Sequence, residues 1–200
     1  MELGAEAMGH RHGPAELLPT AFVRTAKRRW GRLAIADSTG QRLTYGRTLT
    51  GALLLGRAIA RRTPGEATIG LLLPASVGGA LANIAVSMAG RVPVNLNFTS
   101  GPQALAAAVE LADIRTIVTS KRFLAKASIA ELPGMVFLED LRETFGAVEK
   151  IVALAKARLV PSRLLSRLAG GAGRTSRATA TIIFSSGSTG VPKGVVLTHA

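Results

Sequence analysis

Ser185–Gly194 reads S-S-G-S-T-G-V-P-K-G, a run whose residue types converge on one task, holding an anion. Gly187, Gly190 and Gly194 admit positive φ and let a backbone come close to a ligand. Successive N–H groups in such a loop line a concavity that suits negative charge. Ser185, Ser186, Ser188 and Thr189 add hydroxyl donors. Lys193 adds a point positive charge, and Pro192 stiffens the approach to it. Phosphate is the natural guest. A flexible Ser/Gly hairpin loop is the other reading of a run this short.

An element must deliver that loop, and Thr181–Phe184 (T-I-I-F) reads as the buried strand that does so. Val195–Thr198 reads as a strand leaving it. Upstream, Leu17–Trp30 has helical spacing, with Leu18, Phe22 and Ala26 on one face. Leu33–Asp37 and Arg42–Tyr45, joined by S-T-G-Q, predict a β-hairpin. Thr44 precedes a helix from about Gly46 to Arg62 with Leu49, Leu53 and Ala60 on its apolar face. Ala67–Gly90 carries 24 residues without a charge, long enough to span a bilayer by the ~20-residue rule. Pro74, Gly78, Gly79, Asn83 and Ser87 instead divide it into a strand (Thr68–Leu73), a turn and a helix (Val77–Ala89). Strands at Arg91–Asn97, Arg115–Thr119 and Met135–Leu138 then alternate with helices at Gly101–Leu111 and Lys121–Lys126. This alternation predicts an α/β fold, a mixed or parallel β-sheet flanked by helices. Such sheets bind ligands beyond the carboxyl ends of their strands, where Ser185–Gly194 falls.

Leu141–Leu168 reads as a helical run broken once, at Pro161. Lys150, Lys156, Arg158, Arg163 and Arg167 decorate it, and no Asp or Glu follows Glu149. A basic amphipathic helix suits an anionic membrane surface, so residues 149–168 are candidates for such contact. A surface helix packed on its own domain is the alternative. Gly170–Ser176 (G-G-A-G-R-T-S) reads as a flexible linker. Residues 1–16, polar and lacking the apolar core of a signal peptide, are expected to be disordered.

The totals exclude several chemistries. With no cysteine, the chain has no disulfide, thiolate metal site or Cys nucleophile. His10, His12 and His199 are too scattered to argue for a metal. The net charge is +13. The basic residues are dispersed and aromatics make up only 4%, without the aromatic–basic interleaving that stacks bases, so no nucleic-acid partner is expected.

The loop is not Walker A: two residues separate Gly187 from Gly190, and Gly194 follows Lys193. Phe184–Gly194 resembles the phosphate-binding loop of the adenylate-forming (acyl-activating, AMP-binding) enzymes, which include acyl-CoA synthetases, luciferases and the adenylation domains of peptide synthetases. Their pattern is an aromatic residue followed by Thr/Ser-Ser-Gly-Ser/Thr-Thr-Gly-x-Pro-Lys-Gly, and every fixed position is met. Thr44–Gly46 (T-Y-G) also resembles the start of that family's entry helix, without its usual acidic residue. Leu71–Ala80, Gly90–Thr99 (G-R-V-P-V-N-L-N-F-T) and Val136–Leu141 (V-F-L-E-D-L) look most like one branch. That branch is the acyl–acyl carrier protein synthetase domain of bacterial bifunctional 2-acylglycerophosphoethanolamine acyltransferases.

The resemblance implies a two-step ligase. ATP and a fatty acid give acyl-adenylate and pyrophosphate, with Mg²⁺ as the companion ion. Acyl carrier protein or coenzyme A then takes the acyl group. The implied phosphate-binding residues are Ser185, Ser186, Gly187, Ser188, Thr189, Gly190, Pro192, Lys193 and Gly194. Residues 17–200 would form an incomplete N-terminal part of the adenylate-forming domain. The family's nucleotide-base motifs, its magnesium-linked acid and its catalytic lysine lie downstream of this loop. The chain is therefore expected to be a fragment that is inactive alone, with no catalytic residue of its own. The implied location is cytoplasmic, with peripheral contact at the inner membrane. A fatty acyl-CoA synthetase and a non-catalytic nucleotide- or polyanion-binding module are the competing readings.

Overall fold

The computed structural model of the chain describes residues 16–171, 173–185 and 192–200. Of the segment expected to be disordered, residues 1–15 lie outside them. Helix α1 (Leu18–Arg28) buries Pro19, Val23 and Ala26. Strands β1 (Leu33–Ala36) and β2 (Arg42–Thr44) form a separate antiparallel hairpin. Its turn is organised by Asp37, whose Oδ1 accepts hydrogen bonds from the Thr39 hydroxyl (2.6 Å) and the Thr39 amide (2.9 Å). Helix α2 (Tyr45–Arg62) starts on Thr44, whose hydroxyl accepts the Arg47 amide hydrogen bond as an N-cap.

The main sheet contains β3 (Thr68–Leu71), β4 (Val92–Asn95), β5 (Ile117–Thr119), β6 (Met135–Phe137), β7 (Thr179–Ser185) and β8 (Lys193–Thr198). Their spatial order is β6-β5-β3-β4-β7-β8. Every pairing is parallel except the last, β7 with β8. The expected α/β architecture with a mixed, mostly parallel sheet is therefore present. Parallel strands covered on both faces lose the polar alternation of a half-exposed sheet, which explains the uncharged run through β3. Helices α3 (Val77–Met88), α4 (Pro102–Leu111), α5 (Lys121–Ala127) and α6 (Leu138–Glu143) connect or follow these strands. Among the described residues no helix is long and apolar enough to cross a membrane.

Two cores result. One joins α1, α2 and α3 to the sheet through Val23, Leu49, Ile59, Ile69 and Val86. The other packs α4 and α5 on the opposite side through Leu72, Val94, Leu105 and Leu124. Each fully buried aliphatic side chain contributes roughly 1.5–3 kcal/mol relative to exposure. Helices α2 and α3 approach closely at Gly56, where an added Cβ would lie 2.8 Å from the Ala85 carbonyl oxygen.

Two sequence expectations need correction. The helical run from Leu141 breaks twice, giving α6, α7 (Ala147–Leu159) and α8 (Ser162–Ser166), followed by a wide turn at Arg167–Gly171. The extra break is at Gly146, an extended N-cap whose amide donates to Glu149 Oε2 at 3.3 Å. The linker after α8 is also tied down. Gly170 has φ +70° and lies so near Gly90 that an added Cβ would meet the Gly90 nitrogen at 2.6 Å. Arg174 Nη2 donates to the Gly90 carbonyl at 2.7 Å.

Candidate functional site

Strand β7 ends at Ser185, where the Ser/Gly string begins, at the carboxyl edge of the sheet. Its register with β4 sets Ile182 beside Val94 and Ile183 beside Asn95, so Phe184 and Ser185 run past the end of β4. Antiparallel β8 brings the chain back, with Phe184 opposite Gly194 and Ser185 opposite Lys193. The two ends of the loop are thus fixed side by side. Pro192 is buried at the returning end, and Lys193 is exposed. Thr181 Oγ1 donates to the Pro93 carbonyl at 2.8 Å, which ties β7 to β4 beneath the loop.

Of the predicted site residues, the hairpin brings together Ser185, Pro192, Lys193 and Gly194. Ser186, Gly187, Ser188, Thr189 and Gly190 lie outside the described residues. The reason assigned to Gly194 changes. It is a strand residue and is absent from the glycines with positive φ. An added Cβ would lie 3.2 Å from Phe184 Cε1 and 3.5 Å from Ile182 Cγ2. Gly194 leaves room for the aromatic ring of its cross-strand partner.

Beside the hairpin, a cleft of about 520 Å³ opens between the β1–β2 hairpin and the carboxyl ends of β3 and β4. Asn83 of α3 and Asn95 of β4 clasp each other there through two reciprocal amide bonds of 3.0 Å. Asn83 Nδ2 also donates to the Gly79 carbonyl at 3.1 Å. Asp37 lies at the rim, its Oδ2 accepting from the Val77 amide at 2.9 Å. The Thr39 hydroxyl, and then the Val77 amide, hold the Asp37 carboxyl below the usual carboxylate range. The first turn of α3 therefore receives a carboxylate from Asp37 and a hydroxyl cap from Ser76. Sequence reasoning missed this arrangement. Its one visible signal was Asn83, an amide inside an otherwise apolar helix.

His199, after β8, has a structural contact. Its Nδ1 accepts the Leu18 amide hydrogen bond at 3.2 Å, joining the end of the hairpin to the start of α1. Burial, and then the charge of Arg174, push its pKa down. Among the described residues no group of three or more His, Asp or Glu side chains is placed to hold a metal ion.

The AMP-binding enzyme family model matches residues 22–200. The chain belongs to that family. It is similar to 4-coumarate–CoA ligase 5 of Oryza sativa subsp. japonica, 31% identical over 180 residues that cover 89% of this chain and 32% of the ligase. The chain thus spans about a third of the length of this curated relative. Among solved structures it resembles VinN, with a TM-score of 0.70 and 19% identity over 94% of this chain and 46% of that one. It also resembles the nonribosomal peptide synthetase FmoA3 (S1046A) in its α-methyl-L-serine-AMP bound form. There the TM-score is 0.69 and the identity 22%, over 94% of this chain and 18% of the synthetase. At these identities the two structures bear on the fold alone.

Proposed function

We propose that residues 17–200 form the first part of the nucleotide-binding domain of an ATP-dependent acid–thiol ligase. The observation that carries this reading is the family-typical string Phe184–Gly194, whose two ends the β7–β8 pairing sets opposite each other. A carboxylate oxygen attacks the α-phosphorus of ATP. The bond to the bridging oxygen of the β-phosphate breaks, and pyrophosphate leaves with that electron pair. Lys193, the hydroxyls of Ser185, Ser186, Ser188 and Thr189, and loop amides stabilise the departing charge. Gly187 and Gly190 allow close backbone approach. Gly194 and Pro192 hold the returning strand in place.

The strings Leu71–Ala80, Gly90–Thr99 and Val136–Leu141, which resemble the acyl–acyl carrier protein synthetase branch, favour a fatty acid as the carboxylate and acyl carrier protein as the acceptor. The second reading is transfer to coenzyme A, which the name of the rice relative favours.

The test is carboxylate-dependent exchange of labelled pyrophosphate into ATP, run on the complete gene product. Exchange with long-chain fatty acids is expected, falling on the order of a hundredfold in Lys193→Ala, as for a lost transition-state donor. Exchange that is unaltered in Lys193→Ala removes the role given to that residue. No exchange with any carboxylate removes the ligase reading and leaves a binding module. Thioester formation on carrier protein or on coenzyme A separates the two acceptors.

A further inference from the structure

Helix α7 is packed the unusual way round. It meets its own domain through two small side chains, Ala153 and Ala157, which are buried. At about 100° per residue, Val148, Ile151, Val152, Ala155 and Leu159 fall on an arc of roughly 100° facing away from them. That face is open: Val148 is 73%, Ile151 66% and Leu159 77% exposed. Beyond Pro161 the apolar surface continues through Leu164 and Leu168, the latter 69% exposed.

Charge frames this surface with a single sign. Lys150, Lys156, Arg158, Arg163 and Arg167 are all exposed. Arg158 and Lys156 flank the apolar arc on its two sides. The one acid on α7, Glu149, is bound to Arg61 of α2 at 3.0 Å. From Lys150 to Ala200 there is no Asp or Glu. Between α2 and α7 runs a groove of about 360 Å³ lined by Leu53, Phe145, Val152 and Leu168, with Arg57 and Lys156 also on it.

We propose that α7 and α8 form a docking surface for an anionic phospholipid bilayer, lying in its interface with Val148, Ile151 and Leu159 turned into the acyl region. A protruding aliphatic stripe with cations on both flanks matches a surface that offers acyl chains beneath negative headgroups. Another protein, or a further part of a longer chain, would have to supply a large apolar face ringed by acids. The proposal goes beyond the ligase reading and does not rest on it. Exchange in vesicle-free buffer is expected to be unchanged by the substitutions below.

The test is co-sedimentation of the complete gene product with vesicles of phosphatidylcholine alone, and of phosphatidylcholine mixed equally with phosphatidylglycerol. Binding is expected only to the mixed vesicles and should weaken as salt rises. Lys150→Glu with Lys156→Glu, and separately Ile151→Ser with Leu159→Ser, should each lower it by about tenfold or more. These side chains are exposed, so unchanged thermal unfolding checks the fold of each variant. Equal binding to both vesicle types, no binding, or binding indifferent to both variants overturns the proposal. Hydroxyl-radical footprinting of Ile151 and Leu159 supplies the remaining control. Labelling that vesicles suppress supports the surface, and protection without vesicles shows that protein covers it and overturns the proposal.

Discussion

At the scale of single residues, His199 and Gly194 show how little of a residue's job is visible from its type. His199 accepts a hydrogen bond from the Leu18 amide, which requires an unprotonated Nδ1. Its folded pKa is depressed by burial and then by Arg174. The stability it contributes is therefore present above its unfolded value, near 6.5, and is lost as pH falls through the lower folded value. Urea unfolding from pH 8 to pH 5 should show the wild type losing stability relative to His199→Gln, which cannot titrate. Parallel pH profiles for the two proteins would remove this role. Gly194 was expected to serve a ligand through its backbone, because its neighbours in the string are loop glycines. The ring of Phe184, ten residues earlier, sets the constraint instead. Nothing local to Gly194 announces that a ring will cross it.

At the scale of elements, the periodicities that sequence carries well are the local ones. The β1–β2 hairpin, α2, β3, α3 and β4 all lie within a few residues of their expected bounds, because caps, turns and apolar spacing are written next to each other. The break at Gly146 was missed because a glycine between apolar helical stretches reads equally as a tolerated helix residue. Glu149 reaching back to the Gly146 amide settles it as an N-cap. The Asn83–Asn95 clasp was illegible for a different reason. Its partners belong to separate elements, and only the α3–β4 crossover brings them into reach. Replacing either amide by Ala strands the other in a part-buried site, at a cost of about 1–3 kcal/mol. The double replacement should cost less than the sum of the single ones, as read in a denaturant double-mutant cycle. Strict additivity would mean that the two amides act independently. The orientation of α7 was equally hidden. The sequence left it open between a helix on a membrane surface and one packed on its own domain, and nothing in it showed that Ala153 and Ala157 would be the side chains buried.

At the scale of the whole molecule, family membership and fold agree, and the two strands that bracket the Ser/Gly string pair at one edge of the sheet. The loop itself was legible as a string, and the strands that hold its two ends were legible as apolar runs. What the string did not contain was the spatial order of the strands, which sets β7 beside β4 although 83 residues lie between Asn95 and Thr179 in the chain. That order has a consequence in time. Strands β3 and β4, joined by one helix, can pair early, whereas β7 must close a far longer loop before it gains a neighbour. Its hairpin with β8 is a local unit, of a kind that forms in about 1–10 μs, and it docks against β4 after β3 and β4 have paired. Pulse-labelled hydrogen exchange during refolding should show amides of β3 and β4 protected before those of β7 and β8. Simultaneous protection would contradict the order. During synthesis the same delay leaves the flank of β4 exposed, without its neighbour, for as long as the ribosome takes to make the chain from Asn95 to the β7–β8 hairpin.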